Sequence, residues 1–246
     1  HYRLRNYIHR NCENYPTHEI GPIAKVLDIN NGNRFLTLSS FSSGSKGLHQ
    51  YVLEHKGEND PLAKVDFAQG DIVTTILTCA NGQTVCLTLD TTLPRAYSRR
   101  FEVHGTKGMY MEDNDSIFLD NNEEHHKNDW NWRPMWGNAE QYEEEYNHPL
   151  WQKGDVGEDV HGGIDHITLQ AFLNAVKTNS HAPIDVYDAA TYMAICVLSE
   201  ESIAKGGAPV AFPDFTAGRW TERTDIADNE YTLDKIYNGK DLYFID

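Results

Sequence analysis

Two runs of β-forming residues, Ile72–Cys79 and Thr84–Leu89, joined through Asn81-Gly82, constrain the fold more than any other stretch of the chain. An Asn-Gly pair between such runs is the strongest short-range hairpin signal, because both residues tolerate the positive φ that tight turns require. In the second run Val85, Leu87 and Leu89 alternate with Thr84, Cys86 and Thr88, so one face packs and the other is polar. Further strands are expected at Phe35–Phe41, at Arg100–His104 with Met109–Glu112 around Gly105-Thr106-Lys107-Gly108, and at Ile117–Leu119. Sequential strands with tight turns form an antiparallel sheet.

Helical periodicity appears in three places. Pro22–Ile29 has a proline suited to the first helical position and an apolar face of Ile23, Val26 and Leu27. Ile164–Val176 carries Ile164, Ile167, Ala171 and Phe172 on one spacing. Asp185 caps a longer helix whose stripe is Ala190, Met193, Ala194, Val197 and Leu198, ended by Gly206-Gly207. Residues 120–160 read as polar and irregular, with loops at Asn121–Lys127 and Asp155–Asp159. Strands followed by helices imply an α+β fold: one large, mostly antiparallel open sheet with helices packed on one face. The other face is solvated or paired with another subunit.

The 246 residues suffice for a sizeable core and are read as one domain, 1–246. A formal charge of −16 argues against a nucleic-acid partner and an anionic membrane surface, since both need clustered Lys and Arg. No apolar run is long enough to insert into a bilayer. The opening His-Tyr-Arg-Leu-Arg reads as the interior of a domain, so a piece of a longer protein is expected. Cys12, Cys79, Cys86 and Cys196 lack CxxC spacing; a Cys79–Cys86 bridge across the hairpin is conceivable, but four small buried residues are the simpler reading. No metal is expected. His125-His126 beside Glu123-Glu124 are too close in sequence to share one ion, and His161 with His166 does not fit the HExxH geometry.

The chemistry concentrates in Asn14-Tyr15-Pro16-Thr17-His18, preceded by Arg3-Leu4-Arg5 and answered by Leu93-Pro94-Arg95-Ala96-Tyr97-Ser98-Arg99. These stretches gather a phenol, an imidazole and a guanidinium, groups that hold a sugar and exchange protons with it. Pro16 pushes Tyr15 toward an extended conformation, on a loop entering the helix at Pro22. A Tyr-x-x-His taken alone is more often structural. Gly44-Ser45-Lys46-Gly47 lacks the strand–turn–helix context and third glycine of a dinucleotide fingerprint and reads as a surface turn. His161 and Asp165 either line a cleft or cap a helix; Trp130, Trp132 and Trp136 shape a cleft entrance, make a subunit contact or simply pack; Glu143-Glu144-Glu145 is a solvated helix face.

Arg3-Leu4-Arg5, then Tyr15-Pro16-Thr17-His18 with Gly21-Pro22, resemble the C-terminal domain of glycoside hydrolase family 109, the NAD-dependent α-N-acetylgalactosaminidases. Further matches follow in order: Ile29-Asn30 to Arg34, Asp90-Thr91-Thr92-Leu93-Pro94-Arg95, Gly105-Thr106-Lys107-Gly108-Met109, His161-Gly162-Gly163-Ile164-Asp165, Asp185 to Ala190, and Phe212-Pro213-Asp214-Phe215. That family lies within the glucose–fructose oxidoreductase and inositol dehydrogenase superfamily, whose C-terminal domains are of the dihydrodipicolinate-reductase type.

The resemblance implies that Arg3 binds substrate, that Tyr15, Pro16, Thr17 and His18 contact it, that Tyr15 also lies beside the nicotinamide of NAD, and that Tyr97 is a further substrate residue. Arg3, Tyr15, His18 and Tyr97 would converge on one sugar-sized hollow. The implied reaction on an N-acetylhexosaminide is oxidation at C3, elimination of the glycosidic oxygen, addition of water and re-reduction. His18 would act as base or relay and Tyr15 would orient it. Several plain sugar dehydrogenases of the superfamily carry an aspartate where this chain has Asn14. The family's Rossmann domain, with its GxGxxG turn, is not found in this chain, so this stretch alone is expected to be inactive and a poor binder of NAD. Implied partners are a sugar or glycoside, the protein's own N-terminal Rossmann domain and a second copy through the sheet; the implied location is the cell envelope or periplasm. The alternatives are an NAD(P)-dependent sugar dehydrogenase of the same superfamily and a non-catalytic binding or assembly module.

Overall fold

The computed structural model of the chain describes residues 2–127, 130–152 and 163–233. Its backbone divides into two units, residues 1–95 with 184–224 and residues 96–183 with 225–246. In the first unit the chain runs through α1 (Tyr2–His9), α2 (Pro16–Val26), β1 (Phe35–Ser42), α3 (Gly47–Lys56), β2 (Ile72–Cys79) and β3 (Thr84–Asp90). The second unit follows with β4 (Glu102–His104), β5 (Gly108–Met111), β6 (Ser116–Leu119), α4 (Glu123–His126), α5 (Glu140–Tyr146), α6 (Pro149–Gln152) and α7 (Ile164–Thr178). The chain then re-enters the first unit with α8 (Val186–Ala204) and β7 (Val210–Ala211).

The class is α+β, with antiparallel open sheets, and the strands are shared between two of them. The first unit holds four strands in the order β3-β2-β1-β7; the second holds β4-β5-β6. The hairpin forms in register, Ile72 opposite Asp90 through Thr78 opposite Thr84. Its turn closes where the Gly82 N–H donates to the Cys79 carbonyl, with Gly82 at φ 90°, a conformation glycine adopts without strain. One face of the four-stranded sheet carries Phe35, Leu38, Leu77, Cys79, Val85 and Leu87, buried against Ile20 and Ala24 of α2 and Tyr192 and Ile195 of α8. Burying each large side chain there contributes about 1.5–3 kcal/mol.

The hairpin's alternation is the observed one, with Val85, Leu87 and Leu89 buried and Thr84 and Cys86 exposed. Cys79 and Cys86 therefore face opposite sides of the sheet, and all four thiols are free. Cys86 departs from the expected burial. Burial pushes the Cys12 thiol up to about 12 and the Cys79 thiol up to about 11, which leaves both inert.

Helix boundaries depart further from the sequence reading. Periodicity showed neither α1 nor α3. In α8 the capping box forms as expected, with the Asp185 side chain accepting from the Tyr187 and Asp188 N–H groups. Its buried face, however, is Tyr192, Ile195, Cys196, Ser199 and Ser202, while Met193 and Val197 are 52% and 60% exposed. Hydropathy missed this because the sheet side of α8 is partly polar: the Ser202 hydroxyl accepts the Ser40 N–H at 2.9 Å. In α7 the buried residues are Ala171 and Ala175, and Ile164 and Phe172 are exposed rather than packed. Among the described residues no helix is long and apolar enough to cross a membrane.

Candidate functional site

Helix α2 begins at Pro16, six residues before the expected start, so Thr17 and His18 belong to its first turn and not to an entry loop. Two prolines competed for the first helical position. Pro16 takes it, where its missing N–H costs nothing, and is fully buried. Pro22 sits inside the helix, where it has no N–H to offer the His18 carbonyl one turn back. Tyr15 lies just outside, at φ −140° and ψ 45°, which directs its ring away from the helix axis.

That local geometry produces a stack. The Tyr15 and His18 rings lie 4.5 Å apart between centroids at an interplanar angle of 24°. The Arg3 guanidinium, from α1, rests 5.1 Å from the Tyr15 ring centroid in a cation–π contact. Tyr15 is 39% exposed and both Thr17 and His18 are exposed, with the Thr17 hydroxyl 3.3 Å from His18 Nδ1. Three side chains thus present a guanidinium, a phenol and an imidazole together at one surface of the first unit.

Behind the stack lie two carboxyl groups that nothing in the sequence singled out. Glu13 is 0% exposed; its N–H donates to Ser199 Oγ of α8 at 2.8 Å, and its Oε1 accepts the Tyr15 N–H at 3.3 Å. Glu19 follows His18 in the helix and is partly buried. Glu13 Oε2, Glu19 Oε2 and Asn14 Nδ2 are buried with no hydrogen-bond partner. Burial raises the pKa of both carboxyls above the usual range, and the charge of Glu19 adds to the rise at Glu13; Arg95 opposes it at Glu19. Arg95 is anchored in turn, its Nε donating to the Asp90 carbonyl at 3.1 Å. At the same end of β3 the Tyr7 and Thr91 hydroxyls lie 3.0 Å apart.

Tyr97 belongs to the second unit, where it stands 86% exposed. Also in that unit, His125 is a packing residue: its Nδ1 accepts the Leu119 N–H at 2.8 Å and its Nε2 lies 3.3 Å from the Tyr142 hydroxyl. Asp165 sits exposed in the first turn of α7, and Trp130, Trp132 and Trp136 are all exposed. His161 lies outside the described residues, as do Gly162 and the expected loop Asp155–Asp159.

Gly44-Ser45-Lys46-Gly47 does lie between a strand, β1, and a helix, α3, contrary to the surface-turn reading. It is nevertheless closed to phosphate. The Lys46 and Gly47 N–H groups donate to the Asp71 carboxylate at 2.8 and 2.9 Å, which also accepts the Thr92 hydroxyl at 3.0 Å. A Cβ at Gly47 would meet the Thr92 carbonyl at 2.5 Å, so glycine here serves a close backbone approach.

Comparison with known proteins bears on the same stretch. Residues 1–222 match the family model described as glycosyl hydrolase 109, C-terminal domain. A glycosyl hydrolase family 109 protein of Parabacteroides distasonis is 45% identical over 224 residues, covering 90% of this chain and 46% of the relative. An alpha-N-acetylgalactosaminidase of Tannerella forsythia is 44% identical over 224 residues, with the same coverage of 90% and 46%. The chain therefore spans about half the length of the curated relatives it matches. Among solved structures, levoglucosan dehydrogenase in complex with NADH superposes with a TM-score of 0.53 at 18% identity, over 82% of this chain and 50% of that one, a likeness of fold.

Proposed function

The chain belongs to glycosyl hydrolase family 109, as its C-terminal domain, and on that premise we propose that it forms the substrate-binding half of an NAD-dependent glycosidase. The substrate we propose is an N-acetylhexosaminide of the α-N-acetylgalactosaminide type, cleaved by oxidation at C3, elimination, water addition and re-reduction. The observation that carries the reading is the Arg3–Tyr15–His18 stack, which sets an apolar ring face beside hydrogen-bond donors, the combination that sugar recognition requires.

In this reading His18 holds the proton of a sugar hydroxyl and Tyr15 orients that hydroxyl. Arg3 fixes the polar edge of the substrate, and Tyr97 is proposed as a further substrate residue on the family resemblance alone. For the cofactor, two places bear on the fit. Tyr15, 39% exposed, is the residue we propose to lie beside the nicotinamide. The N–H groups of Lys46 and Gly47 are held by Asp71 and do not suit a pyrophosphate. NAD, when bound, supplies a reversible acceptor for hydride. We propose that the pyrophosphate site lies in a Rossmann domain of the longer protein.

The test is release of aglycone from an aryl α-N-acetylgalactosaminide by the full-length protein with NAD. Release at a rate that depends on NAD supports the reading. Steady production of NADH with no aglycone would identify a sugar dehydrogenase instead, and neither product would leave a binding module. We further propose that a second copy pairs on the uncovered face of the four-stranded sheet, where Phe41 and Ile76 stand exposed; sedimentation of the full-length protein as a monomer would refute it.

A further inference from the structure

Three tryptophans of the second unit, Trp130, Trp132 and Trp136, lie on the stretch between α4 and α5 and are 93%, 61% and 50% exposed. Folding normally covers most of an indole, so three bare ones close together mark an interaction surface. The stretch that carries them is held in place. The Gly137 N–H donates to the Asn114 carbonyl at 2.9 Å and the Ala139 N–H to the Asp115 carbonyl at 3.1 Å, tying it to the turn between β5 and β6. The Asn138 side chain pairs both ways with the Ile117 backbone of β6, accepting its N–H at 2.7 Å and donating to its carbonyl at 2.9 Å. The Trp136 indole N–H adds a bond of 3.0 Å to the side-chain oxygen of Asn114. Between Trp132 and Trp136 a tight turn over Arg133–Met135 closes as the Met135 N–H meets the Trp132 carbonyl at 2.9 Å and the Trp136 N–H meets the Arg133 carbonyl at 3.1 Å. The rings therefore stand on a fixed backbone, which leaves little ordering for a ligand to impose.

The chemistry of the surface selects the ligand. Among the described residues none of the three rings stacks on another ring, so they form separate flat faces rather than one apolar knob. The indole N–H groups of Trp130 and Trp132 have no partner among the described residues, and the two rings alternate with the exposed side chains of Asn131 and Arg133. Separate apolar faces interleaved with indole, amide and guanidinium donors suit a chain of sugar rings, each with a C–H face and an edge of hydroxyls. Exposed Glu123, Glu140 and Glu143 flank the stretch on both sides and disfavour an anionic chain or lipid surface. A neutral saccharide is left, the class of molecule on which a glycosyl hydrolase family works.

We propose that Trp130, Trp132 and Trp136 form a carbohydrate-binding platform of the second unit, which holds a neutral oligosaccharide of N-acetylhexosamine units. The choice of N-acetylhexosamine rests on the substrate proposed for the Arg3–Tyr15–His18 stack. The platform itself needs neither NAD nor cleavage: it retains a glycan chain on the protein by covering successive sugar rings with successive indoles.

Titration calorimetry of the full-length protein with chito-oligosaccharides of increasing length, without NAD, tests the platform. Affinity should rise by about tenfold from the monosaccharide to the longer chains. Trp130→Ala/Trp132→Ala should abolish that rise, with an unchanged urea midpoint because both side chains are exposed and unbonded. Trp130→Phe/Trp132→Phe keeps two flat faces and should retain most of the rise. A wild-type affinity indifferent to chain length, or an alanine variant that keeps the rise, overturns the platform and leaves the glycosidase reading untouched. Wild-type binding to phosphatidylcholine vesicles in place of oligosaccharides, or a dimer that the alanine variant loses in sedimentation while oligosaccharides bind neither protein, also overturns it and reassigns the surface to a membrane or a subunit contact. If the full-length protein releases no aglycone yet shows a length dependence that the alanine variant lacks, the glycosidase reading fails and the platform stands.

Discussion

At the scale of single residues, the site separates into side chains that face solvent and side chains that are buried behind them. Tyr15 and His18 are stacked and accessible, so conservative changes there leave the fold intact and report on chemistry. Tyr15→Phe or His18→Ala in the full-length protein is expected to lower turnover by more than about a hundredfold, the range for acid–base groups; near-normal rates of aglycone release would remove them from the mechanism. Glu13 behaves in the opposite way, as a group that folding forces toward its neutral form. The unfolded chain releases that proton near pH ~4.3, whereas the native chain keeps it to higher pH, so folding takes up a proton across the interval. Stability conferred by the neutral form is full below the unfolded pKa and is lost as pH rises through the raised native one. Glu13→Gln should flatten this fall, by about 1.4 kcal/mol for each pH unit of the interval, in urea midpoints measured from acid to mildly alkaline pH. An unchanged slope would show that Glu13 titrates normally.

At the scale of elements, α2 and α8 are tied by a carboxylate rather than by packing alone. Asp188 accepts from Lys25 Nζ at 2.6 Å and from Asn30 Nδ2 at 3.1 Å, while also serving the capping box of α8. Asp188→Ala leaves the buried Asn30 amide with Thr191 Oγ1 as its remaining partner and removes one end of an ion pair, and is expected to cost about 2–3 kcal/mol in denaturant midpoint; a change below about 0.5 kcal/mol would mean the link is redundant. The same elements show why helix boundaries were hard to read. The interior of α2 is unusual in accepting Pro22, and the rotated face of α8 is built from Ser199 and Ser202, which bond to Glu13 and Ser40. Periodicity counts apolar side chains, and here hydroxyl groups do the joining.

At the scale of the whole molecule, the two units and the family membership set what this chain does without help. The glycine turn before α3 is plugged by Asp71, so calorimetric titration of NAD into the 246-residue chain is expected to show binding no tighter than about millimolar, near −4 kcal/mol. Micromolar binding would place the pyrophosphate site within this chain and refute the division of labour. The order of residues alone settled what depends on neighbours in sequence: the Asn81-Gly82 hairpin with its alternating faces, the Asp185 cap, and the Tyr15–His18 motif with its family resemblance. These are local, because turn dihedrals, caps and motif spacing involve only a few consecutive residues. Tertiary structure decided the rest. Glu13 is acidic and unremarkable in sequence, yet α8 covers it from nearly two hundred residues away; Arg3 meets Tyr15 only because α1 folds back; and Cys79 and Cys86 part company because a sheet has two sides. Burial and long-range contact belong to the folded chain, and they turn an ordinary glutamate into a group able to keep its proton.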